Sequence, residues 1–133
     1  MKSSPGYFYV QRNTNFGTKN VAIPFELERL NVGGAMNAGS GIFTAPLPGI
    51  YFFTFSGRPD NGDLTVGLYL NGNLIGSGRS IEDYETFTLQ STLSLYARDQ
   101  VSVRISSGTG SLYDDSFHFT HFNGWLLQED LSY

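Results

Sequence analysis

The sequence contains no cysteine and little charge. Its 133 residues include 8 Lys and Arg and 12 Asp and Glu, so charged residues make up 15% of the chain against about 25% in an average soluble domain. Without cysteine there are no disulfides, thiolate zinc sites or cysteine nucleophiles. The formal net charge of −4 and the absence of any basic cluster argue against a nucleic-acid partner.

Long apolar runs are also missing. No stretch approaches the roughly 18 apolar residues of a membrane-spanning helix, so we expect no membrane insertion. Residues 1–6 lack the apolar core of a signal peptide. No helix of ten or more residues is predicted, because glycine and proline interrupt the chain and the apolar period is two.

What the chain does contain is alternating apolar and polar residues. Leu64–Leu70, residues 87–96 and residues 101–106 each alternate in this way, as half-buried strands do. Asn71-Gly72 lies between two apolar pairs and predicts a tight hairpin turn. Together these patterns predict an all-β sandwich or barrel.

Three further segments are apolar on both faces: residues 7–10, 50–55 and 117–127. A strand of a two-layer antiparallel sandwich normally has one wet face, so these strands need cover on both sides. We therefore predict that the domain oligomerises through one aromatic sheet. The alternative is that the aromatic side chains cap the edges of the sandwich.

Six motifs, spread in order along the chain, form a recognisable set. They are Phe8-Tyr9-Val10-Gln11-Arg12; Asn31-Val32-Gly33-Gly34; Gly41-Ile42-Phe43-Thr44-Ala45-Pro46 with Pro48-Gly49-Ile50-Tyr51-Phe52-Phe53-Thr54-Phe55; Leu68-Tyr69-Leu70-Asn71-Gly72; Leu93-Ser94-Leu95 with Asp99-Gln100-Val101; and Phe122-Asn123-Gly124-Trp125-Leu126-Leu127. In this order and spacing the set resembles the globular head domain of the complement C1q family. The chain departs from that pattern at Arg98, where the family usually has glycine, and at Asn123 and Trp125. No collagen-like Gly-x-y stalk occurs in the sequence.

The resemblance implies a ten-strand jelly-roll sandwich of two antiparallel sheets over residues 7–128, with tails at 1–6 and 129–133. It also implies a compact homotrimer that packs through a sheet containing the first, third and last major strands. The residues predicted at the trimer interface are Tyr7, Tyr9, Phe53, Phe55, Phe119, His121 and Trp125.

The function implied by the resemblance is that of a soluble, secreted, extracellular recognition module. It would bind glycans, lipopolysaccharide or other microbial surface patterns in innate immunity, in the manner of a lectin. Two alternatives remain open, namely a cytokine-like or adiponectin-like ligand for a cell-surface receptor and a purely structural trimerisation domain. We expect no enzymatic activity, because no nucleophile elbow, phosphate loop or dinucleotide motif is present.

The acidic loop after residue 81 is a candidate metal site. Glu82, Asp83 and Glu85 could supply the oxygen ligands that Ca²⁺ prefers, and some family members bind calcium with the equivalent loop. The alternative is a solvated acidic loop. His118 and His121 are three residues apart, so on a strand they point to opposite faces and would not chelate one metal together.

Four other residues are candidate ligand contacts. Tyr113 and Asp114 place an aromatic ring beside a carboxylate, and Arg58 and Arg79 could bind anionic groups. The alternatives are that Asp114 is a turn residue and that the arginines are simply solvated.

Overall fold

The computed structural model describes residues 6–82 and 85–131, and within them the chain forms twelve β-strands and no helix. The strands are β1 (Tyr7–Gln11), β2 (Leu27–Val32), β3 (Met36–Asn37), β4 (Ile42–Thr44), β5 (Gly49–Gly57), β6 (Pro59–Asp60), β7 (Leu64–Leu70), β8 (Asn73–Ser80), β9 (Phe87–Leu95), β10 (Gln100–Ser107), β11 (Ser111–Leu112) and β12 (His121–Glu129). In the described part of the chain no helix is long and apolar enough to cross a membrane.

Ten of the strands form two five-stranded antiparallel sheets. The first sheet has the order β2-β1-β12-β5-β9 and the second has the order β3-β4-β10-β7-β8, while β6 and β11 form a separate short pair. This arrangement confirms the predicted all-β jelly roll of two antiparallel sheets. The Asn71-Gly72 turn joins β7 to β8, as the hairpin signal predicts.

The core between the sheets is aromatic. Phe8 lies 5.2 Å from Phe43 and 5.0 Å from Phe122, measured between ring centroids. Gly124 makes this packing possible, because a Cβ atom there would lie 2.7 Å from a ring carbon of Phe53. The rings therefore fill the space that a side chain at residue 124 would occupy.

Two of the predicted interface residues belong to this core. Phe53 and Phe55 are each 1% exposed in the single chain, and their neighbours Phe52 and Thr54 take the outer face of β5. This corrects the prediction that Phe53 and Phe55 lie at the trimer interface. Successive residues of a strand point to opposite faces, and on β5 the odd-numbered side chains point inward.

The three strands predicted to be apolar on both faces lie side by side as β1, β12 and β5 in the centre of the first sheet. Their outer face carries the half-buried side chains of Tyr7, Tyr9, Phe52 and Trp125. The side chains on the outer face of the adjacent edge strand, β9, are instead polar: Thr, Gln, Thr and Ser. The apolar surface therefore ends before β9, whereas Leu30 of β2, the register partner of Tyr9, continues it toward the opposite edge.

Several distant loops meet at one end of the sandwich, which we call the loop end: residues 58–63, 80–82, 85–86 and 108–120. Antiparallel pairing brings the end of β5 to the start of β9, through Gly57 and Phe87. The short pair of β6 and β11 joins the loop after β5 to the loop after β10. Most of the candidate ligand residues lie here.

Candidate functional site

Asp114 organises the loop that leads into β12. Its carboxylate accepts hydrogen bonds from the backbone N–H groups of Asp115, Phe119 and Thr120, each at 2.8 Å. Its own N–H donates to the side-chain oxygen of Asn15 at 2.8 Å. Asp114 is 5% exposed, so its oxygens are turned inward and already used. The structure corrects its prediction as a ligand residue and supports the alternative of a turn residue.

The next carboxylate holds the outer part of the same loop. Asp115 accepts a hydrogen bond from the Phe117 N–H and another from the Tyr113 hydroxyl, both at 2.8 Å. These bonds favour the ionised carboxylate, so the pKa of Asp115 lies below its ordinary value, with the Phe117 bond contributing most. The same hydroxyl bond raises the pKa of Tyr113. Tyr113 is thereby fixed in one orientation at the loop end.

Arg58, Tyr113 and Phe119 form a cation–aromatic stack. The Arg58 guanidinium carbon lies 4.5 Å from the Tyr113 ring centre and 4.8 Å from that of Phe119. Phe117 extends the stack, with its ring centre 6.1 Å from that of Phe119. Phe117 is 78% exposed, which is unusual for so large an apolar side chain. The structure thus brings two predicted ligand residues, Arg58 and Tyr113, together with an exposed ring.

Phe119 was predicted at the trimer interface, and this stays a prediction, but the structure places Phe119 in a loop and not on the outer face of the first sheet. β12 begins at His121, and His118 has a positive φ of 57°, so residues 117–120 form a loop rather than the start of the strand. The aromatic alternation of residues 117–122 resembles a strand, and for this reason the sequence did not identify Phe117 as a loop residue. Asp114, three positions before it, was the available signal.

Arg79 lies on β8 next to the loop end, and its charge is paired. Its guanidinium is 3.3 Å from the carboxylate of Asp63. Asp63 additionally accepts hydrogen bonds from the N–H and hydroxyl of Thr109, at 3.1 and 2.9 Å. The Thr109 bonds and then Arg79 lower the pKa of Asp63. The positive charge of Arg79 is therefore partly balanced within the chain.

The predicted calcium ligands Glu82 and Glu85 are both exposed at the loop end, and Asp83 lies outside the described residues. Within residues 6–82 and 85–131 no group of three or more metal-ligating side chains comes together. The calcium site depends on Asp83 and stays a prediction.

The two histidines are in different surroundings. His118 Nδ1 lies 2.9 Å from the backbone oxygen of Arg12 in the loop. His121 lies on the outer face of the first sheet, with its ring edge-on to Tyr9 at 5.7 Å. Burial lowers the pKa of His121, and the charge of Asp114 opposes this to a smaller extent. The histidines do not form a pair.

The outer face of the first sheet is a second candidate surface. The rings of Phe52 and Trp125 lie 4.8 Å apart there. A shallow groove of about 410 Å³ runs beside them, lined by Tyr7, Tyr9 and Leu30 among others. Leu30, on the adjacent strand β2, is 47% exposed and was not identified from the sequence. Of the predicted interface residues, Tyr7, Tyr9, His121 and Trp125 lie on this face.

Comparison with known proteins agrees with this architecture. The chain is 35% identical over 127 residues to human Complement C1q tumor necrosis factor-related protein 3, covering 92% of this chain and 51% of that protein. It is 32% identical over 130 residues to zebrafish Caprin-2, covering 92% of this chain and 14% of that protein. The chain thus spans about half the length of the first of these relatives.

A solved structure shows the same fold. The globular domain of the zebrafish complement 1qA protein superposes with a TM-score of 0.77 at 19% identity, covering 95% of this chain and 99% of that one. The sequence model of the C1q domain matches residues 7–127. The chain belongs to the C1q domain family.

Proposed function

We propose that this domain is a homotrimeric recognition module that binds ligands at the loop end and carries out no catalysis. Three copies associate through the outer face of β1, β12 and β5. The observation that supports this most directly is the apolar centre of the first sheet, where Tyr7, Tyr9, Phe52 and Trp125 face outward. A contiguous aromatic surface of this kind on a soluble domain indicates an interface.

Trimer formation can be tested by light scattering. Trp125→Asp places a charge in the middle of the proposed interface, where burying it without a partner costs several kcal/mol. We expect the variant to be a folded monomer at low micromolar concentration, where the wild type is a trimer. Ser77→Asp adds the same charge at an exposed position of the second sheet and should leave the trimer intact. A monomeric wild type would contradict the proposal.

The loop end is the proposed ligand site, and its ligands are glycans or other patterns on microbial surfaces, met outside the cell. Support comes from the exposed ring of Phe117 beside the Asp115 carboxylate and the Arg58 stack. A sugar offers a C–H face for a ring and hydroxyl groups for a carboxylate. Three copies on one rigid trimer could gain about 10²–10⁴ in avidity on a surface with matching spacing.

The second candidate is a protein ligand for a cell-surface receptor, as in the cytokine-like alternative. Two observations favour it. The relative with 35% identity carries tumor necrosis factor-related in its name, and exposed aromatic and arginine side chains are typical of protein-binding hot spots. In that case Phe117 would insert into a pocket of the receptor, and isolated sugars would not bind.

An array of glycans and bacterial envelope components distinguishes the two candidates. It is probed with the wild type, with Phe117→Ala and with Tyr96→Ala, a control at an aromatic residue that is 70% exposed at the opposite end of β9. Binding of a defined sugar that falls at least about tenfold in Phe117→Ala alone supports the glycan proposal. No binding contradicts it and favours the receptor candidate.

A further inference from the structure

The outer face of the second sheet contains an arginine among small residues. Arg104 on β10 pairs in register with Gly67 of β7, and Gly67 pairs with Ser77 of β8. On its other side Arg104 forms an isolated bridge with Ala22. The row across the sheet is therefore Ala22, Arg104, Gly67 and Ser77, and three of these four residues have small side chains or none. The guanidinium is the only charge in the row.

Arg104 has no polar partner within the described residues. Its guanidinium carbon lies 4.7 Å over the ring of Tyr69, but it donates no hydrogen bond and forms no ion pair in that part of the chain. Its Nε atom is covered and meets no acceptor among the residues that the structure describes. By contrast, the buried Arg12 donates to the Pro24 backbone oxygen at 2.6 Å and lies 3.8 Å from Glu26. A half-buried cation without an acceptor is costly.

The surroundings of Arg104 are apolar on the side of Tyr69. Leu74 is the register partner of Tyr69, and both side chains lie over Gly67, where a Cβ atom would be 2.4 Å from Leu74 and 2.9 Å from Tyr69. Leu74 is 53% exposed and its neighbour Ile75 is 41% exposed. The cation therefore lies beside an exposed apolar rim formed by Leu74 and Ile75.

We propose that Arg104, Tyr69 and Leu74 form a docking surface for a protein partner that presents an Asp or Glu carboxylate beside apolar side chains. The planar guanidinium matches a carboxylate. Because Arg104 is already partly desolvated in the free domain, binding an anion there loses less hydration than at a fully exposed arginine. Arg and Tyr at the centre of an apolar rim also form the usual composition of a protein-binding hot spot.

The charge and shape of the surface favour a protein over a sulfated polysaccharide. A polyanion gains affinity from several cations along its length, whereas Arg104 is the one cation in its row. The apolar rim fits aliphatic side chains rather than sulfates. This surface is on the second sheet, whereas the trimer is proposed to form through the outer face of the first sheet.

The test is a titration followed by the Arg104 Nε–H and Tyr69 signals in NMR spectra. The probe is N-acetyl-Leu-Glu-Leu-amide, and the matched control is N-acetyl-Leu-Gln-Leu-amide, which removes only the charge. We expect the glutamate peptide to shift both signals and to bind at least about tenfold more tightly than the glutamine peptide. Arg104→Gln should abolish the preference. Arg79→Gln removes a charge on β8 that is paired with Asp63 and should retain it.

Three outcomes would overturn the proposal: no shift with either peptide, equal binding of the two peptides, or a heparin tetrasaccharide that shifts the same signals more strongly than the glutamate peptide. The comparison of the two peptides on the wild type remains decisive even if Arg104→Gln folds poorly. Light scattering on the same samples records the trimer separately, so failure of this proposal and failure of the trimer are distinguishable.

Discussion

Replacing Asp114 by alanine should destabilise the domain more than any other single change at the loop end. The substitution leaves the N–H groups of Asp115, Phe119 and Thr120 without the acceptor that each now meets at 2.8 Å. An unsatisfied buried donor costs about 1–3 kcal/mol. Thr120 is fully buried, so leaving its N–H group without an acceptor should cost near the upper value. Water can reach the other two N–H groups more easily. We expect a total loss of about 3–5 kcal/mol.

That loss is a large share of the roughly 5–15 kcal/mol by which a domain of this size is stable. It is measured by urea denaturation followed by far-UV circular dichroism, at one fixed protomer concentration because association adds to apparent stability. The urea concentration at the midpoint of unfolding should fall, while the slope of the free energy of unfolding against urea concentration stays the same. Asp115→Ala is the control, since Asp115 is more accessible to water than Asp114 and water can take over its hydrogen bonds, so a clearly smaller loss is expected. A loss below about 1 kcal/mol for Asp114→Ala, or equal losses for the two variants, would refute the role of Asp114.

Three further outcomes are expected. Arg98 has a positive φ of 75°, a conformation that is strained for a residue with a side chain. Arg98→Gly should therefore raise the free energy of unfolding by about 0.5–1 kcal/mol. A lower free energy of unfolding, measured by urea denaturation, would contradict this strain. Burial lowers the pKa of His121 below 6.5 in the folded state, so the unfolded chain takes up the proton more readily. The contribution of neutral His121 to stability is therefore fully present above about pH 6.5 and is lost as the pH falls below that value. His121→Gln should reduce the change in melting temperature between about pH 7 and 5. If the acidic loop binds calcium, the wild type should melt at a higher temperature in CaCl₂ than in EDTA, and replacing Glu82, Asp83 and Glu85 by alanine should abolish the difference; no difference in the wild type would remove the site.

The sequence predicted much of the fold because strand periodicity is a local property. Alternation identified the strands around Leu68 and Leu93, and the double-faced segments identified β1, β5 and β12, which the structure places side by side. The same rule could not say which face of β5 points inward. Alternation shows that Phe53 and Phe55 share one face of β5 and that Phe52 lies on the other. Because both faces are apolar, alternation does not show which of them is the outer one, and the prediction took the face of Phe53 and Phe55. Which face of β5 points into the core is decided only when the second sheet packs over one of them.

The loop end was predicted only in part. Tyr113 and Arg58 were named as separate candidates, and their stacking across 55 positions of sequence follows from the pairing of β6 with β11. Phe117 was assigned to a strand because its neighbours alternate. The carboxylate of Asp114 accepts hydrogen bonds from three backbone N–H groups and so holds this segment in a loop. Side-chain hydrogen bonds of this kind compete with strand pairing, and the apolar period of a sequence does not reveal them.

The sequence by itself determined the all-β class, the positions of the main strands, the hairpin at Asn71-Gly72 and the family. Each of these depends on residues that are neighbours along the chain or on their order. Only the tertiary structure decided which aromatic rings are buried, that Asp114 supports the loop, and that Arg104 lies over Tyr69 without a carboxylate partner among the described residues. These facts depend on side chains that are distant in the sequence and meet only when the two sheets pack, so burial and pairing become defined only in the folded chain.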